Sequence, residues 1–229
     1  MSGSFENRRK SSSVSKALML ATVFVLVIGV SVAGTLAWLS AQSETVTNTF
    51  TSAELFADPS AQFTLWEHQA TDDDKDGRYT LTAEEVTVNT YDILPGINIP
   101  KDPTVDVVEL EENAYLYIKV TDTLPEGLSY SIDAGNWEPL TGTADVWVYK
   151  GTHADDNVIK ASGDSEKTFM VNILTQTADA VYGDYAITVP SGYTGAAAEG
   201  TLSFSAYMVQ ATGNGTNAAE AWANTYGSN

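Results

Sequence analysis

From Glu44 onward, short runs rich in Thr, Val, Ile, Tyr, Phe and Trp alternate with polar residues, and Gly-, Asp-, Asn- and Pro-containing stretches separate the runs. A two-residue hydrophobic period marks half-buried strands. The runs are TVTNTFTSAELFA, QFTLWEH, RYTLTAEEVTVNTYDIL, TVDVVELEENAYLYIKVTD, LSYSI, DVWVYKG, NVIKAS, KTFMVNILTQ, DYAITV and GTLSFSAYMVQAT. Within YLYIKV, Tyr115, Tyr117 and Lys119 share one face, and Leu116, Ile118 and Val120 share the other. Leu202, Phe204, Ala206 and Met208 alternate in the same way near the end of the chain. About ten strands at this spacing predict an all-β fold, an antiparallel β-sandwich of jelly-roll type. Only NAAEAWANTYG reads as a short C-terminal helix, with Asn217 as its N-cap.

Residues 17–39 carry no charge and follow Arg8, Arg9, Lys10 and Lys16. A positive start, an apolar stretch and small residues before a cut describe a secretory signal peptide. The length also suits a membrane-spanning helix. Thr35 and Ala37 place small side chains three and one positions before a cut between Ala37 and Trp38, so cleavage is the expectation. The segment would meet the membrane only before that cut. The predicted divisions are a signal peptide with an apolar helix over residues 1–37, a separate stretch over 38–48, and the sandwich over 49–229. Trp38 and Leu39 would then form a new apolar N-terminus, which suggests insertion into a partner. If the segment is retained, the chain instead reads as a membrane-anchored, monomeric binding module.

The 229 residues include 11 basic and 30 acidic side chains, for a net charge of −19, and no cysteine. Removing the basic N-terminus makes the remainder still more acidic. Such a surface repels nucleic acid, which is not an expected partner. Without disulfides, a secreted chain depends on its packed core. Thiol catalysis is excluded, and there is no G-x-S-x-G element, phosphate loop or H-E-x-x-H motif. His68 and His153 lie far apart in sequence, and no enzyme activity is expected. Trp66, Trp137 and Trp147 are expected to pack in the core or on sheet faces, with a sugar platform as the alternative.

In TDDDKDGRY, Asp72, Asp74, Asp76 and Gly77 match the first half of a calcium loop, D-x-D-x-D-G. Ala83 stands where the bidentate glutamate belongs, and the flanks read as strands rather than helices. No cofactor is expected, with calcium at these three aspartates as the one candidate; a polar hairpin tip is the alternative.

The segments GTLAWLSAQSETVTNTFTSAEL, ILPGINIPKDPTVDV with AYLYIKV, and TLSFSAYMVQATGNGTNAAEAW resemble the TasA/camelysin family of secreted Gram-positive proteins. The resemblance covers roughly residues 17–56, 79–122 and 199–224. It implies processing by a dedicated signal peptidase and polymerisation of a jelly-roll subunit into extracellular or cell-surface fibres of the biofilm matrix. In that picture residues 38–48, including Trp38, Leu39, Ala41, Thr45, Val46 and Thr47, form a donor strand that joins the sheet of the next subunit. The implied partners are further copies of the chain, accessory or minor matrix subunits, and the peptidase. The family also carries a metallopeptidase name, which no zinc motif here supports.

Overall fold

A computed structural model describes residues 40–42, 62–108, 110, 112–161, 168–179, 183–194 and 200–227. The expected signal helix lies outside them. Among the described residues no helix is long and apolar enough to cross a membrane. Over the described residues the fold is all-β, two antiparallel sheets with one helix.

The larger sheet runs in the order β1 (Ser40–Gln42), β11 (Leu202–Gln210), β5 (Ala114–Asp122), β7 (Val146–Tyr149), β6 (Trp137–Pro139). The hairpin of β8 (Ala154–Asp155) and β9 (Val158–Ile159) joins it through β5. Asp156 and Asn157, the two residues between those strands, both have positive φ, 51° and 66°. That is the tight turn whose twist matches paired strands. The smaller sheet runs β10 (Phe169–Asn172), β4 (Thr104–Val108), β2 (Gln62–Thr71), β3 (Thr80–Val86). The first half of β2 pairs with β4 and the second half with β3, with a register shift between His68 and Ala70.

The alternation read from the sequence decides which side chains meet. Leu116, Ile118 and Val120 of β5, with Leu202, Phe204, Ala206 and Met208 of β11, enter one core with Leu65, Val105, Val107, Phe169 and Val171 of the smaller sheet. Each of these side chains except Ala206 contributes about 1.5–3 kcal/mol by leaving water. Trp137 is fully buried, and its indole Nε1 donates to the Asn172 carbonyl at 2.9 Å, tying β6 of one sheet to β10 of the other.

The opposite faces of β5 and β11 form a second core. Tyr115, Tyr117, Tyr207 and Val209 lie under α1 (Ala218–Tyr226). Ala218, Ala221 and Trp222 recur at helical spacing and are buried. Trp222 touches the rings of Tyr117, Tyr207 and Tyr226 at 4.8–5.1 Å between centroids. The Asn217 cap is present: its Oδ1 accepts from the Glu220 amide at 3.0 Å. In return the Glu220 carboxylate accepts from the Thr216 amide and hydroxyl, which holds that carboxyl below its usual range.

Several expected strands are shorter than the sequence suggests. RYTLTAEEVTVNTYDIL forms a strand only to Val86. Beyond it, the Asn89 side chain takes up the backbone of β2 directly, accepting from Ala70 N at 2.7 Å and donating to His68 O at 2.8 Å. A side-chain amide thus replaces a ladder partner. LSYSI and DYAITV provide isolated bridges such as Ser129 to Thr188 rather than strands. TVTNTFTSAELFA lies outside the described residues. The short β6 escapes sequence reading because it contains Pro139, tolerated at a sheet edge where no ladder donor is needed.

Burial raises the hydroxyls of Tyr91, Tyr117, Tyr130 and Tyr149 above the ordinary tyrosine range, and at Tyr91 the charges of Glu67 and Asp102 add to the effect. A raised tyrosine favours the folded state in its protonated form. The contribution is therefore complete below the unfolded value of about 10 and is lost as pH rises above it. Denaturant midpoints should stay level through neutral pH and fall above about pH 10, with phenolate absorbance growing in step with unfolding. Phenolate formation at these four tyrosines in a still-folded chain, read by replacing each in turn with Phe, would contradict this burial.

Candidate functional site

Among the described residues, β1 is the outermost strand of the larger sheet. Ser40, Ala41 and Gln42 pair antiparallel with Val209, Met208 and Tyr207. On its other side β11 pairs with β5 over nine residues, from Leu202 opposite Asp122 to Gln210 opposite Ala114. β11 suits this position because it is buried from Leu202 to Val209 and has no charged residue. Of the expected donor residues, Ala41 lies in β1, opposite Met208 of its own chain. The remaining ones, Trp38, Leu39, Thr45, Val46 and Thr47, lie outside the described residues, as does Ala37. Residues 40–42, part of the stretch expected to be donated to the next subunit, pair here with β11 of the same chain.

The acidic loop is a hairpin tip between β2 and β3, so its flanks are strands. Asp72, Asp74 and Asp76 each bring a carboxylate oxygen within 4.8 Å of the others. Lys75 and Gly77 have φ of 59° and 83°, and the turn closes as Asp72 accepts from the amides of Asp76 and Gly77 at 3.1 and 2.9 Å. Asp76 accepts from the amide and the guanidinium of Arg78, both at 2.8 Å, which holds its carboxyl below the usual range. Two of the three carboxylates therefore have donors within the loop, and a cation would compete with Arg78 for Asp76. A cleft of about 110 Å³ beside the loop is lined by Arg78, Tyr79, Ile97, Asn98, Asp179 and Tyr185. Ordinary small-molecule sites are roughly 300 Å³ or larger.

The two histidines have separate structural partners. His68 Nδ1 meets Asp102 Oδ2 at 2.6 Å, while the other Asp102 oxygen accepts from the His68 amide at 3.0 Å. His153 stacks on Phe169, 4.3 Å between ring centres and 6° from parallel. Among the described residues, neither joins a group of three or more metal-ligating side chains. Trp137 and Trp222 are buried. Trp147 packs partly on the main core, and Trp66 is half-buried edge-on to His68 on the outer face of β2.

Sequence reading missed a charged pair inside the core. Lys101 Nζ reaches Glu67 Oε2 at 2.6 Å, with side-chain exposures of 9% and 2%. The other oxygen, Glu67 Oε1, is buried without a hydrogen-bond partner among the described residues. The signal was there: Glu67 shares the inward parity of Phe63 and Leu65 in QFTLWEH.

Over the described residues, these features define an all-β, two-sheet fold whose first strand lies at a sheet edge. No protein-family model, curated protein or solved structure matches the chain.

Proposed function

We propose that this chain is a secreted structural subunit of extracellular or cell-surface fibres of the biofilm-matrix kind, with a jelly-roll type of sandwich, resembling the TasA/camelysin family. Residues 1–37 act as the signal peptide, a peptidase cuts between Ala37 and Trp38, and the new N-terminal strand joins the sheet of the next copy. The observation that carries this reading is β1. Ser40–Gln42, inside the stretch expected to be donated, is an edge strand among the described residues, held by backbone pairing to β11. Backbone pairing at an edge tolerates varied side chains, which suits a strand exchanged between copies. A head-to-tail contact that does not close produces a filament. The role needs no catalytic residue and no cofactor; calcium at Asp72, Asp74 and Asp76 would reinforce a hairpin tip.

Electron microscopy of two purified chains, residues 38–229 and 49–229, tests the reading. Filaments from the first and folded monomers from the second are expected. Filaments from both would remove strand donation while keeping the fibre. Monomers from both would favour the membrane-anchored binding module.

A further inference from the structure

Glu67 and Lys101 meet from fixed backbone. Glu67 lies in β2, opposite Val86 of β3, and Lys101 comes just before β4. Their chain neighbours are clamped together: Asp102 accepts from the His68 amide at 3.0 Å and contacts its Nδ1 at 2.6 Å. The carbonyls of Pro100 and Lys101 accept from the Tyr91 hydroxyl at 2.8 Å and from Gln176 Nε2 at 2.9 Å. The fold, and not only their attraction, thus holds the two side chains in contact. That contact is short of hydrogen bonds. An ammonium offers three donors, and among the described residues Lys101 Nζ has one acceptor, Glu67 Oε2 at 2.6 Å. Glu67 Oε1 is buried without any. Two buried ions so poorly supplied are costly to keep.

We infer that Glu67 and Lys101 are a modification site, at which the folded chain condenses its own ammonium and carboxylate into a side-chain amide. The amide links β2 to the segment before β4. Proton exchange within the pair first gives a neutral amine and a neutral acid, which a dry site tolerates better than two ions. The amine nitrogen then attacks Glu67 Cδ. The Nζ–Cδ bond forms, one Cδ–Oε bond breaks, and two of the ammonium protons leave with that oxygen as water. Nothing is oxidised or reduced, and no other reactant enters. Reacting groups held in contact by a rigid frame react far faster than the same groups free in solution. The freshly folded chain carries the ion pair, and the amide accumulates from it. The bond closes a loop between positions 34 residues apart, in a chain with no cysteine for a disulfide. It does not depend on fibre formation.

Peptide mapping of the purified full-length protein tests this. Trypsin cuts after Lys and Arg, so an unmodified chain is cut after Lys75, Arg78, Lys101 and Lys119. A lysine held in an amide has lost its charge and is not cut. The modified chain should keep residues 79–119 whole, joined to the peptide that ends at Lys75, and one water lighter than the two peptides together. The joined fraction should grow while the protein is kept folded and warm. It should exceed by at least about tenfold the fraction in a sample kept unfolded in urea for the same time. Lys160, paired with Asp155 at the surface, is an internal control: water competes for both groups, and cleavage after it should stay complete. Lys101→Arg keeps a cation at the position and should give no joined peptide.

A folded chain that is always cut after Lys101, with the peptide ending at Lys75 always free, would overturn the inference. So would joining that proceeds as fast in urea, or fragment masses that place the Lys101 amide on a carboxylate other than Glu67. The unmodified protein carries the decisive comparison, so a variant that misfolds does not blunt the test.

Discussion

Lys101→Met is expected to lower the unfolding free energy by about 3–5 kcal/mol, the usual cost of leaving one member of a buried ion pair without its partner. Glu67 and Lys101 sit at 2% and 7% exposure, and their contact is 2.6 Å. Without the ammonium, the Glu67 carboxylate would stay buried with no counter-charge, and its other oxygen has no hydrogen-bond partner among the described residues. The double variant Glu67→Leu with Lys101→Met removes both charges. It should recover most of the loss, because replacing a buried pair by apolar side chains is often neutral or stabilising. Urea unfolding of the single and double variants checks both statements. A loss below about 1 kcal/mol in the single variant would mean that water reaches the pair.

Trp222→Ala should cost a similar amount, about 3–5 kcal/mol, as a large aromatic deleted from a packed site. Trp222 is 7% exposed and links α1 to Tyr117 and Tyr207. Its loss should be regional. Amide exchange should rise across Ala218–Tyr226, where Tyr117 also donates its hydroxyl to the Ala218 carbonyl at 2.9 Å, while β10, β4 and β2 keep their protection. Equal loss of protection in both sheets would contradict a separate second core. Because α1 covers Tyr207 and Val209, whose backbone holds β1, the same variant should weaken the β1–β11 pairing.

How much of this was legible depended on whether a residue's role is local. β5 and β11 could be read because their alternation alone sorts Leu116 and Phe204 into one core and Tyr117 and Val209 into the other. The C-terminal helix was readable from Asn217 and the spacing of Ala218, Ala221 and Trp222. Strand ends were not, because they depend on partners distant in sequence, as when Asn89 takes the backbone of Ala70 and His68 in place of a strand. The pairing of His68 with Asp102 and of Glu67 with Lys101 joins positions 34 residues apart; the parity of Glu67 announces its burial, but no local pattern names either partner. The acidic loop was readable as a turn, while the Arg78 contact with Asp76 depends on where a long side chain folds back.

The pairing of residues 40–42 with 207–209 also has an order in time. A chain made and exported from its N-terminus has its first strand long before its last. Closing so long a loop is among the slowest steps in folding. While β11 is still being made, the only complete β11 edge nearby belongs to an older neighbour. On the fibre reading proposed above, a newborn subunit would meet a growing end before it could close on itself, and the site of emergence would favour addition over self-closure.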